Sequence, residues 1–205
     1  PVFLTSDNAE IDHAAETAVY SGRARGWQEN NYIRADKIYI RQRESQMSAE
    51  GTVQSLLYDA KRKENGKETN VPVFAASRRM SYDRNSRVLR YEQDVDIRQA
   101  TDRIVGGVAV VYLNEKNEVV KTDVESNVVI TQPNRRATGD FAQYVTAEER
   151  VVLRGSPARV DDAENGSSQG GELTVFLKEN RVTGEGRSKQ NPNGRLRSVY
   201  KVKNE

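Results

Sequence analysis

Cysteine is absent from this 205-residue chain, which removes disulfide staples, thiolate zinc clusters and thiol nucleophiles together. Histidine occurs once, as His13 beside Asp12, with no partner set for a metal site or a Ser-His-Asp relay. No apolar run approaches the roughly 18 residues of a membrane-spanning helix. Charge of one sign is never concentrated: 32 basic and 30 acidic residues are interspersed, as in Arg90, Glu92, Asp94, Asp96 and Arg98. That is the pattern of a solvated mixed-charge face, and it argues against a nucleic-acid partner. Phosphate loops are missing too, because Gly106-Gly107 and Gly170-Gly171 lie in alternating runs with no helix pattern after them. The start carries neither a charged segment with an apolar core nor a lipidation box, so Pro1 is expected to follow a removed leader.

What is present is a period of two almost everywhere. Leu89, Tyr91, Val95 and Ile97 share one face of a run whose other face carries Val88, Arg90, Glu92, Asp94, Asp96 and Arg98. Such a run is a strand with one dry face. The same reading places Val108, Val110 and Tyr112 inward, then Val120, Val124, Val128 and Ile130, then Leu173, Val175 and Leu177. Ile33 and Ala35 are out of phase with Ile38 and Ile40, and a β-bulge at Asp36-Lys37 restores a common inward face. Turn chemistry separates the runs at Asp83-Arg84-Asn85-Ser86, Asn165-Gly166 and Asn191-Pro192-Asn193-Gly194. The polar stretch 59–70 reads as a mobile loop, and 146–151 as one short helical turn. The class is all-β, with about fifteen short antiparallel strands.

The runs also repeat loosely. Ala49-Glu50-Gly51, Val124-Glu125-Ser126 and Gly184-Glu185-Gly186 each follow an upstream small-residue signal at Ala35-Asp36, Gly106-Gly107 and Gly170-Gly171. The offset is 14 residues in the first and third copies and four longer in the second, where the turn Asn114-Glu115-Lys116-Asn117-Glu118 absorbs the excess. Repetition at this scale means stacked supersecondary units whose inward faces join in one apolar trough. Each large aliphatic buried there contributes about 1.5–3 kcal/mol, so these side chains serve first as core. Two readings stand: a trough that admits a guest, or a dry structural or carbohydrate-binding module that works through its polar faces. Trp27 could stack on a sugar or complete a core edge, and Asp161, Asp162 and Glu164 could hold calcium loosely or form a solvated loop. No nucleophile, base or cofactor site is singled out, and no enzyme, metal or cofactor is expected.

The order of several pieces carries a resemblance. Phe3-Leu4-Thr5-Ser6-Asp7-Asn8-Ala9-Glu10-Ile11, Ala18-Val19-Tyr20-Ser21-Gly22-Arg23-Ala24, Ile33-Arg34-Ala35-Asp36-Lys37-Ile38 and Ala49-Glu50-Gly51-Thr52-Val53 resemble the OstA/LptA family of periplasmic lipopolysaccharide-transport proteins. Ala75-Ala76-Ser77, Met80-Ser81-Tyr82-Asp83 and Val88-Leu89-Arg90-Tyr91 continue the likeness. It implies a twisted antiparallel β-jelly roll, or β-taco, enclosing the acyl chains of lipopolysaccharide. It further implies periplasmic inner-membrane-anchored and outer-membrane OstA-like partners and head-to-tail self-association, with 195–203 as a pairing strand. The lining residues would be Ile33, Ile38, Ile40, Leu89, Tyr91, Val95, Ile97, Val108, Val110, Tyr112, Val124 and Val128. Residues 1–138 form the OstA-like repeats on this reading, and 139–205 a third repeat continuing the same sheet. That added copy, and Val124-Glu125-Ser126 in place of small-Glu-Gly, depart from the family pattern.

Overall fold

Alternation of β-branched or aromatic residues with charged ones, punctuated by Asn, Asp and Gly turns, folds here into strands throughout. The structure, a computed structural model, describes residues 2–58, 60–64, 67–188 and 191–201. The strands are β1 (Phe3–Thr5), β2 (Asn8–Asp12), β3 (Thr17–Gln28), β4 (Asn31–Arg41), β5 (Gln46–Leu57), β6 (Lys61–Glu64), β7 (Lys67–Asn70) and β8 (Val73–Asp83). They continue with β9 (Val88–Gln99), β10 (Asp102–Leu113), β11 (Val119–Gln132), β12 (Arg135–Val145), β13 (Arg150–Asp162), β14 (Gly166–Phe176), β15 (Arg181–Glu185) and β16 (Arg197–Tyr200). No helix occurs among the described residues. All but β6 and β7 belong to one antiparallel sheet of 14 strands, in sequence order from β3 to β15. The sheet is open and does not close into a barrel, as a β-taco requires.

Strands of 11 to 14 residues, longer than expected, are bent near their middles. From β3 to β14 each strand pair has a register shift at its centre: at Gly22-Arg23 on β3, at Asp36 on β4, at Gln93-Asp94 on β9, at Ser126-Asn127 on β11 and at Gly155 to Pro157 on β13. Bulges bend and twist a strand, and bulges side by side bend the whole sheet along a seam. The expected bulge at Asp36 lies on that seam, and Ile33 and Ala35 before it are buried in the same core as Ile38 after it. The seam also explains the repeated triplets. Gly51 has φ +99°, and a Cβ there would collide with the Asp36 carboxylate. In the second copy Ser126 holds a similar left-handed conformation at φ 68° without being glycine.

The seam divides the sheet into two walls. The first contains Thr17 to Ser21, Lys37 to Arg41, Glu92 back to Val88 and their partners; the second contains Ala24 to Gln28, Val95 to Gln99 and theirs. Each wall ends at a row of hairpin turns, here called its lip. One buried cluster draws residues from both walls, so the walls fold face to face. At the sheet's two ends the outermost strand is split: β1 and β2 both pair β3, and β15 and β16 both pair β14.

Three expectations change. The stretch 59–70 contains the hairpin β6–β7 rather than a structureless loop, with Asp59, Asn65 and Gly66 outside the described residues. Its two faces are both polar, so no period announced it. Residues 146–149 are a hairpin turn that leads straight into β13, with no helical turn. Of the four extra residues in the second copy only one lies in the turn 114–118; the rest lengthen the arms of β10 and β11, where Val120 is bulged out and exposed. The ending does form a strand, β16, although Val202 and Lys203 lie outside the described residues.

Candidate functional site

The inward side chains form continuous cross-strand rows. Nearest the seam in the first wall the row runs Tyr20, Ile38, Ala49, Met80, Tyr91, Ala109, Val124, Ala142, Leu153 and Leu173, each registered against the next. A second row, closer to the lip, includes Ile40, Met47, Tyr82, Leu89, Val111 and Val151. In the second wall Ile33, Ser55, Ala75, Ile97, Ile104, Ile130, Ala137 and Val160 make the facing row. With neighbouring strands about 4.8 Å apart, rows of ten strands extend roughly 45 Å. Both faces of this long slot are mainly aliphatic, aromatic or alanine; Thr122 interrupts the row nearer the lip, and Ser55, Ser77 and Ser168 place hydroxyls on the second wall.

Of the twelve expected lining residues, Ile33, Ile38, Leu89, Tyr91, Val95, Val124 and Val128 are buried in the shared core, and Ile40 and Ile97 are half-buried against it. Val108, Val110 and Tyr112 are corrected to the outer face. Val110 is registered with Arg90, and the Tyr112 ring lies beneath the Lys121 ammonium at 3.9 Å. The inward residues of β10 are instead Ala109 and Val111. The cause is size: Ala109 sits directly opposite the buried Tyr91 ring, where valine would not fit as well. Alanines at 49, 75, 109, 137 and 142 were missed because they add little hydrophobic signal, although they fall in phase with large cross-strand partners.

Polar contacts tie the walls together. Tyr91 Oη and Ser55 Oγ are 2.9 Å apart across the slot, and burial pushes the Tyr91 phenol pKa up. On β8 their registered partners, Met80 and Ala75, are five residues apart, about 16 Å along an extended strand, so only a folded sheet brings these hydroxyls together. At the lips, Lys61 Nζ on β6 lies 2.6 Å from Glu118 Oε1 in the opposite row of turns. This pairing with Lys61, and the Asn114 amide, hold the Glu118 carboxyl below its ordinary value. Farther along, Arg135 donates to Asn180 Oδ1 at 2.6 Å across the gap while pairing with Asp162 at 3.0 Å.

Side chains fill the slot as it stands: Ile38, Leu153 and Leu173 have no exposed area. Cavities of about 480 and 330 Å³ lie elsewhere, one at the second lip around Pro133, Arg136 and Val199 and one beside the last strands around Pro157, Gly186 and Arg195. With the slot filled in this way, room for a guest between the walls would require the lips to part. Among the described residues no group of His, Asp and Glu is arranged to hold a metal. Asp161 is paired with Arg159, and Asp162 caps the turn through the backbone N–H groups of Glu164 and Asn165. Trp27 stacks on Phe3, with ring centroids 5.6 Å apart.

One outer-face cluster makes a pH prediction. Arg98, opposed by partial burial and helped by Arg103, lowers Asp96 from the ordinary 3.8 to about 2. A carboxylate with a depressed folded-state pKa adds stability that is complete above its unfolded value and disappears as pH falls through the folded one. Asp96→Asn should therefore cost about 1–2 kcal/mol at pH 7, allowing for solvent screening of this partly exposed group. In urea titrations its deficit should shrink between pH 4 and pH 2; a deficit that does not change over that window would show that Asp96 is not held by these arginines.

The sequence matches the family model described as LptA/(LptD N-terminal domain) LPS transport protein over residues 4–78 and again over 75–181, the two stretches meeting in β8. No curated protein matches the chain. Among solved structures, the crystal structure of LptH, the LptA homologous periplasmic component of the lipopolysaccharide transport device from Pseudomonas aeruginosa, is similar at 16% identity over 98% of this chain and 96% of that one, with a TM-score of 0.30.

Proposed function

Because the chain belongs to the LptA/LptD N-terminal-domain family of lipopolysaccharide-transport proteins, we propose that it carries lipopolysaccharide through the periplasm with the acyl chains held between its two walls. The observation that carries this reading is the set of facing inward rows, which, broken by only a few hydroxyls, give the acyl chains a largely apolar path across most of the sheet. Each methylene sequestered from water contributes about 0.8 kcal/mol, so even partial insertion of several chains offsets the cost of parting the lips. Binding of this kind needs no nucleophile or metal, in keeping with a transport family. The polar headgroup stays outside, along the lips, because an apolar slot offers its sugars and phosphates no hydrogen bonds.

The residues placed on the guest are Ile33, Ile38, Ile40, Leu89, Tyr91, Val95, Ile97, Val124 and Val128, joined by Met80, Val111 and Leu153. The segment from 139 onward lengthens the trough: that position lies inside β12, and the inward rows cross it unbroken. The split end strands suit pairing with OstA-like relatives or a second copy, since their outer edges have no partner strand in the sheet described.

With tails inside and headgroup outside, a loaded molecule moving along the trough must pass the Lys61–Glu118 bridge. The chain has no cysteine, so Lys61→Cys and Glu118→Cys can be joined selectively by a short bismaleimide. The bridged protein should take up fluorescent lipopolysaccharide at least about tenfold more slowly than the same variant capped with a monomaleimide, as for other gated sites. Equal rates would refute entry between the lips. Failure of both the capped variant and the wild type to bind would refute the trough itself.

A further inference from the structure

One row on the outside of the second wall has the wrong chemistry for a solvated face. Phe3, Trp27, Tyr32, Leu56 and Phe74 are registered each against the next across β1, β3, β4, β5 and β8. They alternate with the inward Leu4, Gly26, Ile33, Ser55 and Ala75, so they point outward. Phe3 is 51% exposed, Phe74 57% and Trp27 37%, and the Phe3–Trp27 stack holds two of the rings as one unit. Five adjacent strands place this apolar row over roughly 20 Å. Outward apolar residues elsewhere, such as Val110 and Tyr112, lie half-buried beside the charged Arg90 and Lys121, whereas no charged side chain interrupts this row from Phe3 to Phe74.

Its surroundings say what it faces. Arg25 and Arg34, both exposed, make the adjoining outward row toward the seam, and Arg98 and Arg103 continue the aromatic row itself beyond Phe74. Asp96, the acid among them, is shared by Arg98 and Arg103, which leaves the border positive. Aromatic rings with a basic margin match the interface of an anionic bilayer, where Trp, Tyr and Phe sit at headgroup level and arginine meets lipid phosphate. A protein partner covering the same row would be expected to offer carboxylates to Arg25 and Arg34 at set positions; a bilayer offers phosphates at every position.

We infer that this row is a membrane-docking strip that lays the second wall against an anionic phospholipid surface. The inference does not depend on lipid in the trough, since the strip lies on the opposite face of the sheet.

Trp27 is the only tryptophan, so its fluorescence reports the strip alone. Phosphatidylglycerol vesicles at low salt should shift its emission to the blue, and lipids brominated along the acyl chain should quench it. Phosphatidylcholine vesicles should do neither. Phe74→Asp and the double change Arg25→Glu with Arg34→Glu should each weaken vesicle binding at least about fivefold, with far-ultraviolet circular dichroism unchanged. Ile40→Glu, which places a charge in the trough, should dock as the wild type does. No shift and no quenching with the anionic vesicles would overturn the inference and leave the strip to a protein partner. So would quenching that Ile40→Glu abolishes and Phe74→Asp does not, because it would then report lipid uptake.

Discussion

Glutamate in place of Ile40 should lower the affinity for lipopolysaccharide at least about a hundredfold, or about 2.7 kcal/mol, without unfolding the sheet. Ile40 lies in the inward row nearer the lip, registered with Ala18 and Met47, and is half-buried. A carboxylate there can still reach water when the trough is empty, so folding tolerates it. Once acyl chains occupy the slot that route closes, and the charge must be desolvated or neutralised, at a cost of several kcal/mol. Val110→Glu is the matching control, because it puts the same group on the outer face beside Arg90. Equilibrium binding of both variants to rough lipopolysaccharide should separate them. A folded Ile40→Glu protein that binds within twofold of the wild type would remove the trough from the account.

The largest effect on stability belongs to Leu153. It has no exposed area and sits in the seam row between Ala142 and Leu173. Leu153→Ala removes three carbons from a site hemmed in on both sides by registered strands, which leaves little room for collapse. The expected loss is about 2–5 kcal/mol. For a chain of this size that lowers the melting temperature by roughly 5–15 °C. Val110→Ala, on the outer face, should cost under about 1 kcal/mol. Thermal melts of the two variants test how tightly the empty trough is packed: a loss below about 1 kcal/mol at Leu153 would mean that the walls already stand apart and water fills the slot.

Some of this is legible in residue order. In β9 large apolar residues fall on one face and charges on the other, so alternation alone assigns Leu89, Tyr91, Val95 and Ile97 to the inward face. The two-residue bulge at Gln93-Asp94 preserves that parity, and for the same reason the sequence hides it. At Asp36 the phase breaks, and the bulge is visible. β10 resists because valine occurs on both of its faces, and the deciding fact is the volume of Tyr91 on the next strand. Phase alone cannot report such a cross-strand constraint. The Lys61–Glu118 and Ser55–Tyr91 contacts are equally out of reach, since they depend on how far the sheet bends about its seam. The outward row from Phe3 to Phe74 is hidden differently: its members are one per strand, and only the register lines them up.

The central claim, that acyl chains lie between the walls, is tested most directly by site-specific photocrosslinking to purified lipopolysaccharide. A photoreactive residue at Leu89 or Val111, both inward, should capture lipid, whereas the same residue at Arg90 or Val110 on the outer face should not. Crosslinks at the outer positions alone, or at none of the four in a protein shown to be folded, would contradict it.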